Sequence, residues 1–270
     1  MKRILTIQDL SCLGKCSLTV AQPILSAMGI STTVLPTAVL STHTAFPEPH
    51  IRSLTEDIEK ITQHWESIGA KFDAILVGYL SDPEQAEAVY DVISRFPCPV
   101  ILDPVMGDHG KRYQNITQEH IAAMQDLSRL AEIILPNVTE ASLLTGVPYQ
   151  EQTDGHYLRQ MLDVLSQLGR KSVVITGTAP SADQVGYAGC SAGEGLFSYH
   201  TQRQPKNLHG TGDMFSAVFA GAYVSGKSID EAAELAAAFV EQVIAATEEA
   251  SPFGANFETQ LPWLWQQLQK

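Results

Sequence analysis

Leu208-His-Gly-Thr-Gly-Asp-Met214 runs without a break into Phe215-Ser-Ala-Val-Phe-Ala-Gly-Ala-Tyr-Val224, an apolar stretch that reads as a buried helix. The two glycines let backbone approach an oxyanion closely. The amides of Thr211, Gly212 and Asp213 open the helix without partners of their own, so they face whatever sits above it. A carboxylate at that place repels an anion unless it has a chemical task, and taking a proton from a hydroxyl during phosphoryl transfer is such a task. Aspartate is also favoured at helix starts, so Asp213 as a simple cap remains an alternative on these residues alone.

Outward from this element, strand-like and helix-like runs alternate, the pattern of a parallel sheet covered by helices. Strands are expected at Arg3–Ile7, Thr32–Leu35, Ala74–Gly78, Val100–Leu102, Ile133–Leu135 and Ser172–Thr176. Helices are expected near Ser17–Met28, Leu54–Ile68, Pro83–Phe96, Gln118–Ser128, Thr139–Thr145 and Tyr157–Leu168. Gln184–Cys190 and Gly195–His200, flanking Ser191-Ala-Gly-Glu194, predict an antiparallel hairpin at a sheet edge. A second apolar helix is expected over Ile229–Thr247 and a last one near Leu261–Leu268. No repeat or linker interrupts the chain. The fold class is thus α/β, a three-layer α-β-α arrangement around a mostly parallel sheet, with residues 1–270 as one domain.

Polar residues gather where these strands end, which is where open parallel sheets bind ligands. Cys98-Pro-Val-Ile-Leu-Asp103-Pro-Val-Met-Gly-Asp108 leaves a strand with two carboxylates, through turn chemistry or through a metal or phosphate role. The Asp108–Tyr113 segment that follows is polar and suited to closing over a ligand. Pro136-Asn137-Val-Thr-Glu140 matches a capping box, and Glu140 could equally hold Mg²⁺. Thr176-Gly177 ends a third strand. Asp9, Ser11 and Lys15 join the first strand to its helix, and Ser41-Thr42-His43-Thr44 follows the second. His43 reads as a hydrogen-bonded loop residue, and Cys12 and Cys16 read as packing residues.

The chain has 270 residues, 44% of them apolar, enough for a full core. No run approaches the ~18 to 20 apolar residues of a membrane span, and the N-terminal Ile4–Ile7 is too short for a signal peptide, so a cytosolic location is expected. Four cysteines without metal spacing argue against zinc and a disulfide framework. A net charge of −13 with no basic cluster beyond Lys111-Arg112 excludes nucleic acid. An anionic substrate would therefore depend on helix N-termini and a divalent cation.

In order and spacing, Asp103-Pro-Val-Met-Gly-Asp108, Pro136-Asn137-Val-Thr-Glu140, Thr176-Gly177 and Gly210-Thr-Gly-Asp213 resemble the ribokinase-like superfamily, and within it the pyridoxal kinases. The resemblance runs from Ile4 to about Thr247. It implies ATP-dependent phosphorylation of the 5′-hydroxymethyl group of a B6 vitamer, in a homodimer with one site per chain. It makes Asp213 the base and Gly210, Thr211 and Gly212 the anion hole. Asp103, Asp108, Asn137 and Glu140 fall on positions serving Mg²⁺, a monovalent cation such as K⁺, or ATP phosphates, with Asp103 and Glu140 toward the metal. Thr176 and Gly177 match nucleotide contacts, and Thr44 and Tyr79 fall where the vitamin ring is held. Many pyridoxal kinases have serine where Asp9 stands; Asp9, if inward, would pair with the ring nitrogen or a neighbouring hydroxyl. Hydroxymethylpyrimidine kinases resemble the chain in the Asp-Pro-Val-Met block but typically carry cysteine at the place of Asp213, and sugar kinases usually read Gly-Ala-Gly-Asp. A non-catalytic binding protein of the same fold is a further alternative.

Overall fold

The computed structural model describes residues 1–168, 172–191, 195–206, 208–249 and 251–268. The chain builds β1 (Arg3–Leu13), α1 (Leu18–Ala27), β2 (Ser31–Thr42), β3 (Ile51–Ser53), α2 (Thr55–Ser67), β4 (Ala74–Val77), α3 (Pro83–Arg95) and β5 (Val100–Leu102). It continues through β6 (Gly107–Asp108), β7 (Lys111–Arg112), α4 (Gln118–Leu130), β8 (Ile133–Ile134), α5 (Val138–Thr145) and α6 (Gly155–Leu165). It closes with β9 (Ser172–Thr178), β10 (Gln184–Ser191), β11 (Gly195–Gln202), α7 (Thr211–Val224), α8 (Ile229–Ala246), a short 3₁₀ turn and α9 (Leu261–Gln267).

Among the described residues nine strands form one sheet in the order β11-β10-β9-β8-β5-β4-β1-β2-β3. The six from β9 to β2 in that order run parallel, and the outer strands β10, β11 and β3 are antiparallel. Side chains alternate across a strand, so neighbours in sequence serve opposite layers. Ile4, Leu76, Ile133 and Val174 join the apolar cluster that includes residues of α1, α7, α8 and α9. Leu5, Ile75, Ile134 and Val173 join the other, with residues of α2 to α6. The result is the expected three-layer α-β-α arrangement, with the hairpin strands β10 and β11 paired antiparallel at one edge. The expected turn at Ala192–Glu194 lies outside the described residues.

Three departures from the sequence reading share one cause. The first strand continues to Leu13 and the second to Thr42, well past the apolar runs that end at Ile7 and Leu35. Beyond Ile7 the first strand loses its partner β4 but keeps β2, with a register shift between Gln8 and Leu10. The ladder therefore carries polar residues out past the sheet, where burial alternation gives no signal. Pro36 lies where β2 is paired with β1 alone, since β3 pairs with β2 only from Ala38 onward. The exposed strand β3 and the two-residue pair β6–β7, where a loop was expected, are likewise too short and polar to show periodicity.

The helix α7 is apolar all round because it lies between α1 and α8 against the sheet. Its Phe219 is fully buried. Phe219→Ala is expected to lower the unfolding free energy by about 3 to 5 kcal/mol, through lost transfer energy and the cavity left behind. Chemical denaturation measures this; a loss below about 1 kcal/mol would contradict the packing described.

Candidate active site

The helix α7 starts directly above the carboxyl ends of the parallel strands. Gly210 is its N-cap, in the left-handed region at φ 84°, where a side chain would collide with the carbonyl oxygen of Lys15. Met214 N–H closes the first turn on Gly210 O at 2.9 Å, leaving the amides of residues 211–213 as the free ends of the helix. Asp213 therefore sits in the first turn rather than at the cap. The simple-cap alternative for Asp213 does not describe this geometry.

A cavity of about 640 Å³ opens over that helix end. It is lined by every residue that the family resemblance assigned to the site: Asp9, Thr44, Tyr79, Asp103, Asp108, Asn137, Glu140, Thr176, Gly177, Gly210, Thr211, Gly212 and Asp213. Each arrives from the exit of a strand or the start of a helix. Asp9 is buried and accepts the Ser11 hydroxyl at 2.9 Å. Tyr79 follows β4, its hydroxyl receiving Asn115 Nδ2 at 2.7 Å. Thr44 stands exposed at the mouth. Asp108 ends the first strand of the β6–β7 hairpin, and the Asp108–Tyr113 segment contributes to one wall.

Asn137 and Glu140 make the capping box: Asn137 Oδ1 accepts Glu140 N–H at 3.0 Å, and Glu140 Oε2 accepts Asn137 N–H at 2.8 Å. The other oxygen of Glu140 accepts Met106 N–H at 3.1 Å, tying the β5 exit to α5. The cap and the cavity wall are thus the same residues, and the two readings of this motif hold together.

No lysine or arginine lines the cavity among the described residues. Lys15, the nearest candidate in sequence, is engaged by Glu258 at 2.8 Å and Asn256 at 2.9 Å. The carboxyls consequently bear the cost of burial without a cationic partner. Burial pushes Asp213 up to about 7, against a lowering by the Ser17 N–H, with the Asp9 charge adding to the rise. Asp103 is pushed to about 8 by burial and then by the Asp213 charge, with the Ser216 hydroxyl opposing. Glu140 is raised by burial and by Asp103, and Asp9 by burial. Burial thus makes Asp213 a stronger base than an ordinary carboxylate, although it keeps access to the cavity.

Among the described residues no three His, Cys, Asp or Glu side chains gather closely enough to hold a cation unaided. Buried oxygen donors lacking any positive partner do fit a hard cation that draws its remaining ligands from water and phosphate.

Several lining residues were missed or read differently. Cys16 lines the cavity, beyond the packing role expected of it, and burial raises its thiol pKa so that it is inert. Cys12 is exposed rather than packed, because it lies on the part of β1 that overhangs the sheet. His43 is the hydrogen-bonded loop residue expected, with Nε2 2.8 Å from Pro252 O, and it also lines the mouth beside His209, 4.7 Å between ring centroids. Ser17 and Val185–Tyr187 carry no motif, and only the pairing of distant elements brings them here.

The model of the family described as Phosphomethylpyrimidine kinase matches residues 25–258. A pyridoxine/pyridoxal/pyridoxamine kinase of Bordetella avium is 31% identical, over 92% of this chain and 86% of its own. The crystal structure of pyridoxal kinase from Lactobacillus plantarum superposes with a TM-score of 0.92 at 31% identity, covering 99% of this chain and 98% of that one. A Bacteroides thetaiotaomicron protein, provisionally named a phosphomethylpyrimidine kinase and crystallised with pyridoxal, superposes at 0.91 with 33% identity, covering 100% and 96%.

Stability should carry the mark of the buried acids. Asp103 and Asp213 bind protons near pH 8 and 7 when folded, against 3.8 as ordinary carboxylates. Between those limits the folded state holds more protons, so stability falls as pH rises through the window. His120, His200 and His209, lowered by burial, oppose this only below about 6.5. Without divalent cation, the Tm is expected to be higher at about pH 6.5 than at about pH 8.5, and Asp213→Asn should narrow the difference. A Tm that rises with pH over this range would contradict the electrostatics.

Proposed function

We infer, for a chain that belongs to the Phosphomethylpyrimidine kinase family, that it transfers the γ-phosphoryl group of ATP to the 5′-hydroxymethyl group of pyridoxal, pyridoxine or pyridoxamine. The observation that carries this reading is a carboxylate beside the free amino end of a buried helix, inside a cavity walled by strand exits, its pKa pushed up by burial. The names of the B6-vitamer kinases of similar sequence support the substrate class. A phosphoryl group over the amides of residues 211–213 would place the vitamin's primary alcohol against Asp213, which accepts its proton as the bond to phosphorus forms. Those amides receive the charge on the transferred oxygens. A base with pKa near 7 is well matched to neutral pH, where enough is ionised and each ionised group is a competent acceptor.

In this reading Asp108, Asn137, Thr176 and Gly177 hold the nucleotide, and Asp9, Thr44 and Tyr79 hold the vitamin ring. The inward carboxyl of Asp9 suits a protonated ring nitrogen or its neighbouring hydroxyl. Asp103 and Glu140 would hold Mg²⁺, directly or through water, and bound Mg²⁺ neutralises triphosphate charge that no lysine or arginine meets here. A monovalent cation such as K⁺ belongs to the same proposal. So do a single kinase domain, a homodimer and a cytosolic location; among the described residues no helix is long and apolar enough to cross a membrane.

The thiamin-pathway alternative, a hydroxymethylpyrimidine kinase, is disfavoured by Asp213, where such enzymes typically carry cysteine. A binder without chemistry has no use for a base beside an anion cradle.

Asp213→Ala is expected to lower kcat by at least about 100-fold with the KM for ATP within about twofold, measured with pyridoxal and hydroxymethylpyrimidine in parallel on the wild type. Near-normal turnover in that variant, or activity confined to the pyrimidine, would refute the assignment. The glycines give a second check. A Cβ at Gly212 would meet nothing within 4 Å, so Gly212→Ala should fold with stability unchanged or raised by up to about 1 kcal/mol, yet lose turnover by filling the phosphoryl space. Gly210→Ala, in the left-handed region against Lys15, should lower stability itself. Full activity in Gly212→Ala would place the phosphoryl group elsewhere.

A further inference from the structure

Tyr79 lines the cavity, and its phenol is held by a residue that does not line it. Asn115 stands exposed between β7 and α4, with its Nδ2 2.7 Å from Tyr79 Oη and 3.0 Å from Ser81 O. A main-chain carbonyl only accepts, so the atom that faces Ser81 is the amide nitrogen, and its second hydrogen is left for the phenol. The Tyr79 oxygen is the acceptor of this bond.

The main chain around Tyr79 is fixed by other groups. Tyr79 O accepts the Thr37 hydroxyl at 3.3 Å, and Ser81 N–H donates to Oε1 of the fully buried Gln85 at 2.8 Å. Gln85 Nε2 in turn donates to Thr37 O at 2.8 Å, which ties both contacts to β2. Residues 79 to 81 are therefore held with or without Asn115, and what Asn115 adds is a hold on the far end of the ring. The axis of a tyrosine ring runs from Cβ to the hydroxyl oxygen, so a bond at that oxygen selects where the axis points among the rotamers open to it. Asn115 is itself braced. Tyr113 N–H donates to Met106 O at 3.0 Å, Ile116 N–H donates to Tyr113 O at 3.1 Å, and Thr117 caps α4 by accepting His120 N–H at 3.3 Å.

We propose that Asn115 is a positioning residue, which through its bond to the Tyr79 hydroxyl sets the ring of Tyr79 as the wall against which the vitamin's pyridine ring lies. The proposal rests on the reading of Tyr79 as a contact of the vitamin. The residues assigned to the nucleotide are others, Asp108, Asn137, Thr176 and Gly177, so the effect belongs to the vitamin and not to ATP. A role confined to fastening Ser81 would be felt whether or not residue 79 carries a hydroxyl. A role through the phenol disappears with that hydroxyl.

Asn115→Ala is expected to lower kcat/KM for pyridoxal about fivefold, mainly through KM, with the KM for ATP within about twofold. Tyr79→Phe keeps the ring and loses the bond, and is expected to lose at least as much. Adding Asn115→Ala to Tyr79→Phe is expected to change kcat/KM by less than about twofold. Unchanged kcat/KM in Asn115→Ala, an equal rise in the KM for ATP, or losses that multiply in full in the double variant would overturn the proposal. The side-chain amide resonances of Asn115 in ¹⁵N-labelled protein report on the bond without turnover: in Tyr79→Phe, where the aromatic ring remains, one amide proton should move upfield. An unmoved pair in a protein that phosphorylates pyridoxal would overturn this role alone, whereas a wild type that phosphorylates no B6 vitamer would overturn the functional reading and this role with it.

Discussion

A half-buried carboxylate at the amino end of a buried helix, with no cationic side chain beside it among the described residues, is the constraint around which this molecule is arranged. Burial opposes its charge, the Ser17 amide favours it, and the unfilled amides of the first turn of α7 lie alongside. That turn can sit at the strand ends only because α7 is apolar on all sides and threads between α1, α8 and the sheet. Gly210 completes the entry, since any side chain there would strike the backbone of Lys15. Core packing and chemistry are therefore one arrangement, in which the interior of α7 supplies the anchorage and its first turn supplies the site.

The acidic wall follows the same logic. Glu140 spends both oxygens on backbone amides, one closing the cap of α5 and one fastening the exit of β5. A residue so tied is rigid, and its charge is held up by burial and by Asp103. Such a group costs stability at neutral pH unless a cation or a proton shares it. The absence of lysine and arginine from the cavity wall among the described residues makes a cation brought in with the nucleotide the natural counter-charge.

Much of this was legible because periodicity and punctuation coincide. Runs such as Ile133–Leu135 and Val173–Ile175, each followed by polar residues and a glycine or proline, mark parallel strands and their exits together. Gly210-Thr-Gly-Asp213 before an apolar decapeptide gives both a helix start and an anion cradle. What stayed hidden lacks such a signal. The outer halves of β1 and β2 exist through pairing with each other, β3 is three exposed residues, and β6–β7 is a two-residue pair. Ser17 and Val185–Tyr187 belong to the cavity because distant segments meet there, and the backbone angles of Ser17 are written in no motif. The raised pKa of Asp213 likewise depends on enclosure that a linear reading does not measure.

The account stands most directly on where the transferred group lies. A crystal structure with pyridoxal, ADP, Mg²⁺ and aluminium fluoride as a mimic of the phosphoryl group in flight would show it. The mimic is predicted over the amides of residues 211–213, with the vitamin's hydroxymethyl oxygen within about 3 Å of the Asp213 carboxylate. A mimic seated away from the α7 amino end, or a hydroxymethyl group turned from Asp213, would contradict the account.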